Sequence, residues 1–265
     1  MFTLRQYLLA LLDSRGLTRT LGEIDVCRDE QGRPCFSAGN SAAVFRIRLG
    51  GRIRSLRCYL RPMRHLKEIY GQRLLEKELY LHTSPETGVW VDTVLGDWIE
   101  GSTLHETVAQ AAALRDRECL QILVRLFDRL ALALVTDDRA HGDLKPENII
   151  VGDDGTLCPI DFDASYLPAF AGEISPELGT AAYQHPARTA ADFDERIDDY
   201  PAALISTALH ALAEDPTLWD RYGSSDGLLY TPQRIASDPA YRETLALFEG
   251  GKYATAALYA GGSLV

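Results

Sequence analysis

The chain has 265 residues, of which 46% are hydrophobic, so it can bury a sizeable core and has the size of one catalytic domain. Its formal net charge at pH 7 is −11, but residues 1–82 hold 15 Lys and Arg against 8 Asp and Glu, which leaves 12 of the 27 basic and 30 of the 38 acidic residues for the remainder. An acidic remainder disfavours nucleic acid as a partner and favours a basic protein substrate or partner.

The cysteines are odd in number and lack the Cys-x-x-Cys spacing of zinc sites; they are Cys27, Cys35, Cys58, Cys119 and Cys158. This usage argues against a zinc site and for a reducing compartment, so we expect a cytoplasmic protein.

The first predicted element is an amphipathic helix within residues 1–17, where leucines recur at helical spacing between Leu4 and Leu12. Its apolar run is interrupted by Arg5 and Asp13 and is too short for a membrane span. It also lacks a signal-peptide cleavage pattern. We therefore expect no membrane partner.

Strands are predicted next, between Cys27 and Tyr59, with turns at 29–32 and 49–51. In the segment 53–61, strand alternation places Ser55, Arg57 and Arg61 on one face and excludes Arg54 from it.

Two helices are predicted further on. Apolar residues at helical spacing from Leu120 to Leu134 indicate the first. The second, which begins at Asp198 and runs to Leu212, is apolar on most sides, so we expect it to be buried.

The most informative stretch, residues 141–163, lies between these helices. It reads His-Gly-Asp-Leu-Lys-Pro-Glu-Asn, then an apolar run, a turn, a second apolar run and Asp-Phe-Asp. Pro146 favours an irregular loop around it. The two apolar runs predict a hairpin that returns Asp161 to the side of Asn148.

Phosphoryl transfer from ATP requires residue types of this kind at this spacing. The reaction needs a carboxylate near the acceptor hydroxyl and hard oxygen ligands that hold Mg²⁺ against the phosphates. Asp143 can be the carboxylate, and Asn148 with Asp161 can be the ligands. Lys145 can reach the transferred phosphate as a point charge.

The same stretch resembles the catalytic loop and metal-binding loop of the eukaryotic-like protein kinase superfamily. The resemblance implies that Asp143 is the catalytic base, that Lys145 is the phosphate-contacting lysine of Ser/Thr kinases, and that ATP and Mg²⁺ are used. Two positions depart from the pattern: Gly142 stands where many protein kinases have Arg, and Asp163 stands where Gly is usual.

The resemblance also implies an α+β, bilobal protein-kinase-like fold with a small, mainly β N-lobe and a larger, mainly α C-lobe. The N-lobe would span about 18–96 after the N-terminal helix, the hinge about 97–101, and the C-lobe about 102–265. The last residues, 261–265, are typical of a linker, which leaves open that the chain is one domain of a longer protein.

By the same resemblance, residues 37–45 form the nucleotide-covering loop, in which only Gly39 remains of three expected glycines and Val44 packs on adenine. Ser55 takes the small position over adenine. Arg57 takes the place of the lysine that binds the α- and β-phosphates. Strand alternation places Arg61 on the same face, so it is the other candidate. This substitution is not neutral, because a planar guanidinium binds differently from an ammonium.

Two further parts of the nucleotide site follow from the resemblance. The carboxylate that pairs with Arg57 should lie on the next helix, for which the candidates are Glu68, Glu76 and Glu78. The backbone of Asp97 and Ile99 would bind adenine, with Gly96 at the back of the pocket.

Residues 179–188 resemble the end of a protein-kinase activation segment, whose pattern is Gly-Thr-x-x-Tyr-x-Ala-Pro-Glu, and their Tyr-Gln-His-Pro variant is similar to a group of bacterial kinase-like domains. The resemblance implies that Thr180 contacts Asp143 and Lys145. The final Glu of the pattern is Ala187 here, so its usual ion pair must be absent or replaced.

The resemblance also implies a further contact with the catalytic loop and a consequence for regulation. Asp198 would bind the backbone of that loop; the alternative is that it only caps its helix. Arg at position 142 normally pairs with a phosphorylated activation loop. Because Gly142 cannot do so, we predict that phosphates on Ser165, Ser175 or Thr180 are not needed for activity.

Three functions are consistent with these observations. The first is an active Ser/Thr-type protein kinase, favoured by the complete set of catalytic residues. The second is a pseudokinase that acts as a nucleotide-binding regulatory module, suggested by Arg57, Asp163 and Ala187. The third is a small-molecule phosphotransferase of the aminoglycoside-kinase type, which shares the His-Gly-Asp pattern with Asn five residues after the Asp.

Overall fold

The structure is a computed structural model that describes residues 1–225, 227–230, 235 and 237–249, so the predicted linker at 261–265 lies outside the described residues. The chain divides into two compact units, Met1–Trp98 and Ile99–Val265, which we call the first and second unit. The boundary falls within the predicted hinge, so Asp97 and Ile99 belong to different units. Among the described residues, no helix is long and apolar enough to cross a membrane.

The first unit is built on an antiparallel sheet with two short helices. Its elements are α1 (Leu4–Leu12), β1 (Asp25–Val26), β2 (Phe36–Ala38), β3 (Ala42–Leu49), β4 (Arg52–Tyr59), α2 (Leu66–Tyr70), β5 (Leu74–His82) and β6 (Gly88–Asp97). The strand order is β1-β3-β4-β6-β5, and β2 also pairs with β3.

Helix α1 is shorter than the predicted 1–17 segment, because its ends are set by local capping. Thr3 and Gln6 form a capping box at its start, and Asp13 ends it. Its inner face buries Tyr7 in the same core as Phe45 of β3.

The expectation that Glu68, Glu76 and Glu78 lie on the next helix is wrong for two of the three. Helix α2 has five residues and contains only Glu68, whereas the other two glutamates lie in β5. Gly71, with a φ of 53°, follows the last residue of the helix and begins a 3₁₀ turn, after which the chain is extended.

Glu76 and Glu78 have other partners. The Lys67 ammonium lies 4.0 Å from the Glu76 carboxylate. The buried carboxylate of Glu78 accepts hydrogen bonds from the backbone amides of residues 19–21 and from the Thr20 hydroxyl. Glu78 therefore fixes a loop of the first unit.

The second unit is mainly helical, with a small antiparallel sheet of order β7-β8-β9. Its elements are β7 (Gly101–Thr103), α3 (Leu104–Ala113), α4 (Arg117–Val135), β8 (Ile149–Gly152), β9 (Leu157–Pro159), α5 (Asp199–Glu214), α6 (Leu218–Tyr222) and α7 (Pro239–Glu249). Short 3₁₀ turns occupy Pro146–Asn148, Phe162–Ala164, Pro168–Phe170 and Ala181–Tyr183.

Helices α4 and α5 coincide with the two predicted helices, and their apolar faces share one core. Leu123 and Phe127 of α4 lie in the same buried cluster as Leu204, Ile205 and Leu209 of α5. The mixed α and β composition with antiparallel sheets agrees with the predicted fold class, and the bilobal arrangement stays a prediction.

Candidate active site

The β8–β9 hairpin brings the two ends of the informative stretch together, as the sequence predicted. Ile149 pairs with Pro159, and the Ile160 amide donates to the Asn148 carbonyl at 2.9 Å. Asp161 is the residue after Ile160, so the hairpin places it next to Asn148. Residues 141–148, which precede the hairpin, are called the 141–148 loop below.

The Asp143 carboxylate is held by three partners. Its Oδ1 accepts from the Thr180 amide at 2.5 Å. Its Oδ2 lies 3.3 Å from the Lys145 ammonium and accepts from the Asn148 side-chain amide at 3.2 Å. Burial alone would raise the pKa of Asp143, but the Lys145 charge and the Thr180 hydrogen bonds together lower it below its usual range. The carboxylate is therefore ionised at neutral pH.

Lys145 joins the 141–148 loop to the segment 179–188. Its ammonium donates to the Thr180 hydroxyl at 2.8 Å and also faces Asp143. Both contacts that the resemblance implied for Thr180 are thus present. The side chain of Lys145 is 22% exposed, so its charge is sheltered and yet reachable.

Asn148 and Asp161 offer the oxygen atoms that were expected to bind Mg²⁺. The Asn148 amide nitrogen donates to the Asp143 carbonyl at 2.9 Å, which turns its oxygen away from that group. Asp161 has a φ of 68° and a ψ of 63°, a left-handed conformation that is uncommon for a residue with a side chain. Strained backbone of this kind concentrates at functional sites.

One amide oxygen and one carboxylate fit Mg²⁺, because this cation takes few protein ligands and completes its shell with phosphate and water. In the described part of the chain, no group of three or more His, Cys, Asp and Glu side chains could hold a metal by itself. Asn148 and Asp161 alone supply two of the oxygen ligands that such a cation needs.

His141 connects the 141–148 loop to the end of the hairpin. Its ring is buried, and its Nε2 lies 2.7 Å from the Ile160 carbonyl, while its Nδ1 accepts from the Asp143 amide at 3.3 Å. An acceptor at Nδ1 requires that the ring hydrogen sit on Nε2, which then donates to Ile160. His141 therefore holds the backbone next to Asp143 and next to Asp161.

Asp198 binds the backbone of the 141–148 loop and does not cap its own helix. One carboxylate oxygen accepts from the Gly142 amide at 3.0 Å, and the other accepts from the His141 amide. Asp198 is 1% exposed, and among the described residues its side chain makes no capping hydrogen bond at the start of α5. The N-cap alternative is thereby excluded.

Two glycines allow close packing around the 141–148 loop and the segment 179–188. Gly142 has a φ of 81°, and a Cβ there would collide with the Ala164 carbonyl. The arginine that many protein kinases carry at this position has no room here. Gly179 has a φ of 73°, and a Cβ there would lie 2.9 Å from the Asp143 Oδ1.

Arg188 is a site residue that the sequence interpretation missed. Its guanidinium donates to the Gly142 carbonyl at 3.3 Å and to the Gln184 side-chain oxygen. Burial lowers its pKa, while the charges of Asp198 and Asp143 oppose that shift. The sequence did offer a signal for Arg188. This residue directly follows Ala187, which stands where the activation-segment pattern has a charged Glu.

The predicted nucleotide residues of the first unit share one face of its sheet. Val44 lies opposite Arg57, which in turn lies opposite Val94. Directly opposed residues point to the same side. In the row two residues along β4, Ser55 lies between Arg46 and Gly96. Sequence reasoning did not single out Arg46, whose guanidinium lies 5.7 Å from the Trp98 ring centre.

Gly96 and Asp97 make specific contacts with β4. A Cβ at Gly96 would lie 2.7 Å from the Ser55 hydroxyl, so a larger residue there would force that hydroxyl to turn away. The Ser55 hydroxyl donates to the Asp97 carbonyl at 3.1 Å, and the Asp97 carboxylate pairs with Arg54 at 2.8 Å. The carbonyl retains a second lone pair for another donor.

Gly39 lies in the turn of the β2–β3 hairpin, where its amide donates to the Ala42 carbonyl at 2.9 Å. A Cβ at Gly39 would meet no atom closer than 3.9 Å. Its φ is also not positive, so the fold itself does not require glycine there. Val44 lies inside β3 and Ile99 begins the second unit.

Comparison with known proteins finds partial similarity to Ser/Thr protein kinases. CBL-interacting protein kinase 17 of Oryza sativa subsp. japonica is 28% identical over 172 residues, which cover 62% of this chain and 35% of that protein. Serine/threonine-protein kinase PknL of Mycobacterium tuberculosis is 34% identical over 113 residues, which cover 40% of this chain and 27% of that protein.

A third relative, the probable serine/threonine-protein kinase PknB of Bifidobacterium longum, is 26% identical over 121 residues, 42% of this chain and 17% of that protein. The matched regions thus span little more than a third of these relatives at most. No protein-family model matches the chain. The similarities support a relation to the protein kinase superfamily at a coarse level.

Proposed function

We propose that this chain is a Ser/Thr-type protein kinase that transfers the γ-phosphate of ATP to a protein hydroxyl with the help of Mg²⁺. The observation that carries the proposal is the contact set of Asp143, which Lys145, Asn148 and Thr180 all reach. These four residues bring together a carboxylate, a cation and an amide, which are groups that phosphoryl transfer requires.

In the proposed mechanism, Asp143 receives the hydrogen of the acceptor hydroxyl. Its lowered pKa keeps it ionised, and its hydrogen bond from the Thr180 amide fixes its orientation. The carboxylate therefore aims the acceptor oxygen and accepts its proton as the bond to phosphorus forms. Lys145 stabilises the negative charge of the transferred group from the same side of the loop.

Mg²⁺, when bound with the nucleotide, neutralises phosphate charge during transfer. Asn148 and Asp161 would hold it through one amide oxygen and one carboxylate. His141 and the hairpin keep these two residues in register, because both tie the backbone at 160 to the loop.

The proposed enzyme is active without phosphorylation of its own segment. Ser165 is 5% exposed and Ser175 is 7% exposed, so neither hydroxyl is open to another kinase. Thr180 already bonds Lys145 and Asp143. Arg188 reaches the Gly142 carbonyl from the segment 179–188, which orders this segment without a phosphate. Activity that survives phosphatase treatment agrees with this; strict dependence on phosphate overturns it.

A γ-phosphate transfer assay with Mg²⁺ tests the proposal directly, with general basic protein acceptors because the acidic part of the chain favours them. Asp161→Asn should abolish transfer, since it replaces the charged member of the two proposed metal ligands by a neutral amide. Asp153→Asn makes the same charge change in the exposed hairpin turn and should leave transfer intact. Transfer that is equal in wild type and Asp161→Asn would reject the mechanism.

A second function, a nucleotide-binding regulatory module without transfer, is favoured by two features of the first unit. The first unit carries Arg57 on the proposed nucleotide face, and the helix after β4 is only five residues long. If wild type binds ATP in a Mg²⁺-dependent way but transfers no phosphate to any acceptor, this second function replaces the first. The Lys145–Thr180 contact favours the protein-kinase type over a small-molecule phosphotransferase.

A further inference from the structure

Cys27 and Cys35 lie opposite each other where the chain leaves and rejoins the edge of β3. Arg28 and Pro34 form an antiparallel bridge, so the residues one step before and after them are the next opposed pair. The Cys35 amide donates to the Cys27 carbonyl at 2.8 Å, which fixes this register.

This register brings the two cysteines within the separation that a disulfide spans. The backbone hydrogen bond from Cys35 to Cys27 marks the hydrogen-bonded kind of opposed position, where Cα atoms lie about 5.5 Å apart and side chains share one face. Disulfides span Cα separations of about 4.4–6.8 Å. Both cysteines are reduced and partly exposed, so an oxidant can reach them.

The pair also lies at a structural junction. The Cys27 amide donates to the Arg46 carbonyl, and the Arg46 amide donates to the Cys35 carbonyl, both at 2.9 Å. Cys35 directly precedes β2, whose hairpin with β3 carries Gly39. A covalent link would therefore fix the entry to this hairpin.

Two other cysteines of the described chain differ in their surroundings. Cys58 is fully buried, and burial raises the pKa of its thiol. Burial also raises the pKa of Cys119, which lies on α4. A thiol with a raised pKa is a poorer nucleophile at neutral pH.

We propose that Cys27 and Cys35 are a modification site that closes reversibly to a disulfide when the protein meets a hydroperoxide. With hydrogen peroxide, one thiol takes up one oxygen atom as the O–O bond breaks and becomes a sulfenic acid, and the other oxygen atom leaves as water. The second sulfur then attacks the sulfenic sulfur and expels a second water, so the two thiols lose two electrons and two protons in total. A small thiol reductant reverses the step by exchange.

Peptide mapping tests the proposal, because trypsin separates the two cysteines. Cleavage after Arg28 leaves Cys27 in the peptide 20–28, while Cys35 falls in the peptide 29–46, since Pro34 protects the bond after Arg33. The full chain is treated with hydrogen peroxide, the remaining thiols are blocked, and the digest is analysed by mass spectrometry with and without reductant.

The expected result is a linked 20–28/29–46 pair that is two hydrogens lighter than the sum of its parts and that separates on reduction. Thermal unfolding of oxidised wild type should have a higher midpoint, and reductant should reverse the increase. Cys35→Ser should lose both effects, whereas Cys158→Ser, a matched change in the second unit, should keep them.

Other outcomes overturn the proposal. They are sulfinic or sulfonic acid on unlinked cysteines, linkage of Cys27 or Cys35 to another cysteine, and a link between two molecules that disappears on dilution. None of these measurements depends on phosphate transfer, so they stay separate from the proposed kinase activity.

Discussion

The two units hold their candidate residues by different physical means. In the second unit, Asp143, Lys145 and Thr180 contact one another directly. In the first unit, Val44 and Arg57 share a sheet face because strand register places them there. A hydrogen-bonded cluster depends on each atom, whereas a register-defined face keeps its geometry when a side chain changes. This difference explains why the departures from the kinase pattern in the first unit leave its sheet intact.

The comparison predicts that the largest effect on rate comes from the cluster in the second unit. Asp143→Asn should lower kcat about 10²–10⁴-fold, the usual contribution of a general base. ATP binding should stay near wild type, whereas the midpoint of thermal unfolding should fall modestly, because Asn keeps an oxygen for the Thr180 amide but places an amino group where Lys145 and Asn148 now donate. Steady-state kinetics measures kcat. Asp153→Asn is the control, because it makes the same change of charge in the exposed hairpin turn. A kcat within a few-fold of wild type would remove Asp143 from the mechanism.

The tight packing around the cluster is tested by Gly142→Ala. An alanine with this φ costs about 1–2 kcal/mol, and the collision with Ala164 adds about 1–3 kcal/mol. Gly155→Ala is the matched control, because Gly155 has a similar φ of 76° but open space around it. Urea unfolding should therefore show a larger loss for Gly142→Ala. Equal losses of unfolding free energy for the two variants would mean that Ala164 can move aside without destabilising the protein.

The register-defined face of the first unit is tested by Arg57→Met and Arg61→Met. A charge-assisted contact is worth about 1.5–3 kcal/mol, so loss of the phosphate cation should weaken ATP binding about 10–100-fold. We expect this weakening for Arg57→Met and only a small change for Arg61→Met. Isothermal titration with ATP and Mg²⁺ distinguishes them, and the reverse order would assign the cation to Arg61.

The tie between α5 and the 141–148 loop is tested by Asp198→Ala. Two buried backbone amides would lose their acceptor, which should destabilise the second unit by about 1–3 kcal/mol for each amide and lower kcat as the loop loosens. Asp199→Ala removes the neighbouring carboxylate, whose partner Arg196 is exposed, and should cost less than about 1 kcal/mol. Similar losses in chemical unfolding would contradict a special role for Asp198.

Sequence alone predicted much of the second unit, because its signals are local. The hairpin that joins Asn148 to Asp161 follows from two apolar runs and a turn, and the contacts of Thr180 follow from a short motif. Arg188 was missed, since its contact with Gly142 spans 46 positions and depends on how the segment 179–188 folds back.

The first unit was harder to predict. Side-chain alternation along a strand predicts which residues share a sheet face, but not which helices or strands come after that strand. Parity placed Ser55 and Arg57 on one face, as the register shows. It could not show that Glu78 is buried against the amides of residues 19–21, since that contact spans about sixty positions. A helix containing Glu76 and Glu78 was therefore expected where a strand is found.

The smallest expected effect concerns the pH dependence of transfer. The Lys145 charge helps to lower the pKa of Asp143, so the ionised carboxylate contributes stability above its unfolded pKa and loses that contribution as the pH falls through its folded pKa. Lys145→Met should raise this pKa and move the acid limb of the transfer rate to higher pH. Single-turnover rates between about pH 4 and 7 should thus give a ratio of variant to wild type that decreases as the pH is lowered. Lys67→Met, which removes an exposed cation of the first unit, should give a constant ratio. A constant ratio for Lys145→Met as well would show that the lysine acts on phosphate alone and not on the ionisation of Asp143.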